Sequence, residues 1–113
     1  MKAEKAYETK IKGFLKKHGV YCVKYFGCAF SQAGTPDLLT CINGKFVAIE
    51  VKSSEGKPSE LQLHNLRQID AAGGIAVLAY PEDWDNLKAL ILALLNGQAC
   101  SVLYDYFRWR FLD

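Results

Sequence analysis

Three residues carry the chemistry this chain could perform: Asp37, Glu50 and Lys52. Between them lies Asn43-Gly44, flanked by apolar runs. That dipeptide is the strongest short-range hairpin signal, because both turn positions call for positive φ. If it forms a two-residue turn, Ile42 faces Lys45 and the register carries Asp37 directly opposite Glu50. Their Cβ atoms are then about 4.5–5.5 Å apart. Lys52, two residues past Glu50, shares the same face. Two like charges on a buried strand pair are destabilising unless something neutralises them. A raised carboxyl pKa would do so, as would Lys52. So would a divalent cation held by two carboxylates and a backbone carbonyl. Such a cluster suits metal-assisted phosphodiester hydrolysis, in which the cation polarises the phosphate and activates a water. The lysine would activate that water or stabilise the developing charge. A strand-end ion cluster with no catalytic part fits the same spacing.

Elements must hold these residues in place. Residues 3–18 place Ala3, Tyr7, Ile11, Phe14 and Leu15 at helical spacing, with lysines opposite and Gly19 as a stop. A strand is expected over 20–26, then a polar loop from Ser31 to Pro36, then the hairpin strands 37–42 and 45–52. A second helix over 59–72 ends at Gly73-Gly74, a strand follows at 75–80, and a third helix at 82–95 stops at Asn96-Gly97. The tail, 98–113, is rich in aromatic residues. The order is α-β-β-β-α-β-α. Both faces of the hairpin strands are apolar, which predicts a central position with helices on both sides. The helix between the hairpin and the last strand implies a parallel crossover. The expected fold is α/β, a three-layer α/β/α core around a mixed central β-sheet.

Composition sets limits. A chain of 113 residues is one domain by length, 1–113, and 50% hydrophobic content with a net charge of +2 argues against disorder. The most apolar stretch, 87–95, is short and contains Lys88, so no membrane span is expected. With no secretory signal visible, a cytoplasmic location is expected. Cys22, Cys28, Cys41 and Cys100 form no C-x-x-C pair, and read as small buried hydrophobes. Residues 1–27 hold seven Lys and two Glu, a basic segment that suits a polyanion or a solvated helix face.

The motifs also carry a resemblance. Pro36-Asp37 followed by Glu50-Val51-Lys52 is similar to the PD-(D/E)xK nuclease motif. Gly34-Thr35-Pro36-Asp37-Leu38-Leu39 and Val47 to Lys52 resemble two blocks of the virus-type replication-repair nuclease (VRR-NUC) domains. Pro58-Ser59-Glu60-Leu61-Gln62 with Leu66 and Ala72-Gly73-Gly74 resembles that family's L-S-x-x-Q helix, and Glu4 to Gly19 its opening helix. Pro58 stands where the family usually has Leu. Residues 4–80 are covered, and residues 81–113 match no motif. The resemblance implies a restriction-endonuclease-like core and a metal-dependent DNA nuclease. It further implies a stand-alone phage or prophage type, related to archaeal Holliday junction resolvases and acting as a homodimer on branched DNA. Carried over by motif, Asp37, Glu50 and the Val51 carbonyl would bind Mg2+ or Mn2+, Lys52 would be the catalytic lysine, and Gln62 would support the site.

Several other residues have two readings. Gln62 completes a capping box with Ser59, yet it projects into the Leu61–Ile69–Leu66 stripe, where a polar group needs a partner. Helical periodicity turns Glu4 inward, whereas the resemblance selects Glu8 as a further metal ligand. We take Glu8, with Glu4 in reserve; a solvated glutamate fits either position. Lys24 could touch phosphate, as could Ser31 and Gln32, and Lys24 equally suits an exposed strand. His18 and His64 lie in no metal-binding pattern. In the tail, Tyr104, Tyr106, Phe107, Trp109 and Phe111 alternate with Arg108 and Arg110. That composition suits core packing, a dimer contact or base stacking.

Overall fold

The computed structural model describes residues 2–27 and 33–112, so Cys28, Ser31 and Gln32 lie outside the described residues. Its elements run α1 (Lys2–Lys17), β1 (Tyr21–Lys24), β2 (Leu38–Ile42), β3 (Lys45–Val51), α2 (Glu60–Ala71), β4 (Ile75–Ala79), α3 (Trp84–Leu95) and α4 (Ser101–Arg108). A 3-10 turn at Pro81–Asp83 leads into α3.

Asn43 (φ 50°) and Gly44 (φ 81°) make the left-handed turn that the Asn-Gly pair favours, and Ile42 pairs with Lys45. The strands lie in the order β1-β2-β3-β4. β1 and β2 are antiparallel, as are β2 and β3, whereas β4 runs parallel to β3 because α2 carries the chain back. The sheet is mixed and flanked by helices, an α/β fold as expected.

The two faces of the sheet differ. On one, Leu38, Ile42, Val47, Ile49 and Val51 pack with Ile11 and Leu15 of α1 and with Leu87, Leu90 and Ile91 of α3. On the other, Leu66 of α2 joins Ala76, Leu78 and Phe111 over β4. This second layer stops short of β1 and β2. Tyr21 is 72% exposed, Val23 41% and Phe46 47%. Cys41 is exposed too, against the expectation of burial. In the register, Tyr21, Cys41 and Phe46 form one row, and Val23, Leu39 and Ala48 the next. Apolar residues on both faces predict cover on both sides, but among the described residues the cover on this face comes from α2 and Phe111 and ends at β3.

The aromatic tail forms α4, an element that sequence periodicity did not announce. It straddles the outer edge of β4. The Tyr104 hydroxyl accepts the Ala76 N–H at 2.9 Å and donates to Asp70 Oδ1 at 2.8 Å. Arg110 donates to the Leu78 carbonyl at 3.0 Å. Arg108 makes a two-pronged contact with Asp70, at 2.9 and 3.0 Å, fixing α4 to the end of α2. Core packing is therefore the main use of Tyr104, Phe107 and Phe111, while Trp109 is 75% exposed. Among the described residues, no helix is long and apolar enough to cross a membrane.

Candidate active site

Asp37 does not pair with Glu50 in the ladder. The register ends at Leu38 opposite Ile49, one residue short of the expected pair. Pro36 is the reason: it would face Val51 in register but has no N–H to give. Asp37 fills the gap with its side chain. Its Oδ2 accepts the Val51 N–H at 2.8 Å, while its backbone carbonyl accepts the Tyr25 N–H at 2.8 Å. The carboxylate is thereby fixed from β3 and the backbone from the end of β1.

Glu50 is 2% exposed. Its Oε2 accepts from Gln62 Nε2 at 3.0 Å and lies 3.6 Å from Lys52 Nζ. Its Oε1 is buried and, among the described residues, has no hydrogen-bond partner. Burial, and then the negative charge of Asp37, push the Glu50 carboxyl from the ordinary 4.5 up to about 8, against the pull of Lys52. This is the neutralisation problem that the sequence posed, with Lys52 answering it only in part.

Gln62 fills both of its possible roles at once. Its Oε1 accepts the Ser59 N–H at 2.9 Å, and Ser59 Oγ accepts the Gln62 N–H at 3.1 Å, which completes the capping box. The Nε2 end of the same amide reaches Glu50. The helix cap thus orients the group that holds the carboxylate.

Glu8 approaches from α1 and is 8% exposed. Lys24 Nζ donates to Glu8 Oε1 at 2.7 Å and lies 3.4 Å from Asp37 Oδ1, bridging the two carboxylates. Lys12 lies 3.5 Å from Glu8 Oε2. Lys24 is therefore not a solvated strand lysine. Burial lowers its pKa, but Glu8 and Asp37 more than compensate and hold it above the ordinary lysine value. Glu4 is half-buried and lies on a cleft of about 170 Å3 shared with Lys5, Glu8 and Lys24.

One positioning residue escaped the sequence reading. Asn65 is 7% exposed, and its Nδ2 donates to Leu61 O at 2.9 Å and reaches Ala33 O at 3.4 Å. It anchors the loop that delivers Asp37. The signal was present: 61, 65 and 69 are successive positions on one helix face, and an amide among apolar residues there needs partners. In the same loop, Gly34 has φ 81°, and a Cβ on it would stand 2.8 Å from Leu61 Cγ. His18 packs on Phe14 at 4.5 Å between ring centroids, and His64 is exposed, so neither joins the site.

The donors at the strand ends are oxygens, suited to a hard cation. A buried carboxylate oxygen without a partner, beside a second carboxylate, is what such an ion would satisfy. Asp37 and Glu50 fit that part, with the Val51 carbonyl adjoining in sequence. Among the described residues, no group of three or more His, Cys, Asp or Glu side chains is arranged to hold a metal. The third carboxylate, Glu8, is engaged by Lys24.

Comparison with curated proteins finds no match. A family model described as archaeal Holliday junction resolvase (Hjc) matches residues 2–97, which includes α1, all four strands, α2 and α3. The match contains Glu8, Asp37, Glu50, Lys52 and Gln62 within one collinear stretch of a PD-(D/E)xK-type nuclease family. The chain belongs to the archaeal Holliday junction resolvase (Hjc) family.

Proposed function

We propose that this protein is a divalent-metal-dependent, structure-selective DNA endonuclease that hydrolyses phosphodiesters at branched DNA such as a Holliday junction. The observation that carries the reading is the buried Glu50 carboxyl beside Asp37 and Lys52, with one oxygen that accepts no hydrogen bond from the described residues. Asp37, Glu50 and the Val51 carbonyl would hold Mg2+ or Mn2+, joined by Glu8 once Lys24 releases it. When bound, the cation would polarise the scissile phosphate and lower the pKa of the attacking water. Lys52, its side chain 13% exposed, offers a proton acceptor or a positive charge to the reacting phosphate. Gln62 fixes the Glu50 carboxylate, and the Val51 N–H fixes that of Asp37. A DNA phosphate would compete for the Lys24 ammonium, and Ser31 and Gln32 would contact the DNA backbone.

The motif blocks between Gly34 and Gly74 support a stand-alone VRR-NUC-type member of phage or prophage kind. The apolar side chains of Tyr21, Val23 and Phe46, exposed among the described residues, support a homodimer, in which two-fold symmetry brings two sites to two strands. The whole chain then acts as one nuclease domain in the cytoplasm of the host cell.

Cleavage of a four-way junction, a flap, plain duplex and single-stranded DNA tests the reading, each with Mg2+, Mn2+ or EDTA. Metal-dependent cutting of the junction, lost in Glu50→Gln and Lys52→Ala, is the expected result. Tight binding without cutting in any metal would make the chain a DNA-binding module instead.

A further inference from the structure

A second cleft opens at the same strand ends as Asp37, Glu50 and Lys52. It holds about 320 Å3 and is lined by Ser54, Tyr80, Glu82, Asp83, Tyr106 and Arg110. Ser54 lies two residues past Lys52. Tyr80 follows Ala79, whose carbonyl accepts the Lys52 N–H at 3.0 Å. Tyr106 and Arg110 come from residues beyond the family match, so this chain supplies part of the cleft from outside the shared core.

The cleft is locked. Asp83 is 1% exposed and accepts from the Tyr80 N–H at 2.7 Å, the Tyr106 hydroxyl at 2.9 Å and Arg110 Nη2 at 2.7 Å, with Arg110 Nη1 on its other oxygen. The guanidinium lies 5.4 Å from the Tyr80 ring centroid and 5.1 Å from that of Tyr106. Burial would raise the Asp83 pKa, but these donors win and hold it below the ordinary carboxylate value.

That arrangement selects what can bind. A phosphate is disfavoured, because the Arg110 charge is matched by Asp83 and the exposed Glu82 adds a negative one. A metal ion is disfavoured, because both Asp83 oxygens are already accepting. Tyr106, 42% exposed, keeps ring surface open beside its Arg110 contact, with the edge of Tyr80, a hydroxyl on Ser54 and a carboxylate acceptor on Glu82 around it. Such groups stack on a planar ring and accept hydrogen bonds from an exocyclic amino group. We propose that this cleft receives one unstacked, amino-bearing nucleobase of the DNA substrate, next to the scissile phosphate, and that it sets which sequence is cut at a branch point. The inference rests on the nuclease reading above and deepens it. A strand-exchange point supplies bases that unstack at low cost.

Four-way junctions carrying 2-aminopurine at successive positions around the branch test it, bound to the full-length protein in Ca2+. Strong quenching is expected at one position beside the cut, retained in Tyr106→Phe and lost in Tyr106→Leu. With Mg2+ and natural bases, thymine at that position slows cutting about tenfold relative to cytosine. Glu82→Leu, on the exposed rim and therefore safe for folding, removes that difference. A protein that cuts the junction with no position-specific quenching, or whose base preference survives Glu82→Leu, overturns the proposal and leaves the nuclease standing. A protein that neither binds nor cuts DNA overturns both.

Discussion

The Lys24 ammonium lies 2.7 Å from Glu8 Oε1, so a lysine at the end of β1 and a carboxylate of α1 form an ion pair at the mouth of the site. Because Lys24 also faces Asp37, it occupies space between two carboxylates that a cation would share. Lys24→Met removes that positive charge. Mn2+ affinity without DNA, read by calorimetry, should rise about tenfold. Phosphate contact is lost at the same time, so junction affinity should fall. Unchanged Mn2+ affinity would show that Lys24 does not compete for the site.

Glu50 makes metal-free stability depend on pH. Its carboxyl titrates near 8 in the folded chain, against an ordinary value of 4.5. Between those values the unfolded chain has released a proton that the folded chain keeps. Glu50 therefore makes stability fall as pH rises through this window, with no further loss above it. In EDTA, the melting temperature of the wild type should drop from pH 5 to pH 8 relative to Glu50→Gln. Parallel curves for the two proteins would rule this out.

Gln62 joins a helix cap to the buried Glu50 carboxylate through the two ends of one amide. Gln62→Glu keeps an acceptor for the Ser59 N–H but sets a carboxylate against Glu50. Junction cleavage should fall about 10–100-fold, the usual cost of disturbing a group that orients a metal ligand. The α2 helix should persist by circular dichroism. Full activity in this variant would leave Gln62 a cap and nothing more.

Gly34 holds the loop before Asp37 against α2. An alanine there would place Cβ 2.8 Å from both Leu61 Cγ and Leu61 O, at φ 81°. Gly34→Ala should lower stability by about 1–3 kcal/mol in urea titration. It should lower cleavage further, since Asp37 moves with the loop. A variant with wild-type stability would mean the loop relaxes freely.

Phe46 stands 47% exposed at the margin of the α2 cover, where it lines a cleft with Ile69 and Gly74. Phe46→Glu puts a charge into that apolar surface without disturbing the buried face. Light scattering should give a dimer mass for the wild type and a monomer mass for the variant. A monomeric wild type at working concentration would remove the dimer from the proposal.

Much of the site was legible because turn chemistry fixes register. Asn43-Gly44 decided which residues of the two strands meet, and a period of two then decided which side chains share a face. Asp37 left the ladder because a proline precedes it, a local fact that the register count ignored. The role of Asn65 was readable from its place on an apolar stripe. α4 was not readable, since its N-cap is Cys100, which makes no side-chain cap hydrogen bond, and its aromatic residues have no special taste for helix. That helix exists because β4 and α2 give its side chains something to pack on. The partial cover of the second sheet face among the described residues was hidden for the opposite reason, since apolar patterning reports what a surface wants and not which element lies over it.

The hold of α4 on β4 has a consequence for how molecules of this protein behave in company. An open parallel strand is a template on which a foreign strand can polymerise. Tyr104 and Arg110 fill the Ala76 N–H and Leu78 carbonyl that such a strand would need. The other edge, β1, has only four residues in strand and offers a short purchase. A chain stripped of Tyr104 and Arg110 would present the longer edge to its neighbours, and heating it should raise turbidity well before the wild type clouds.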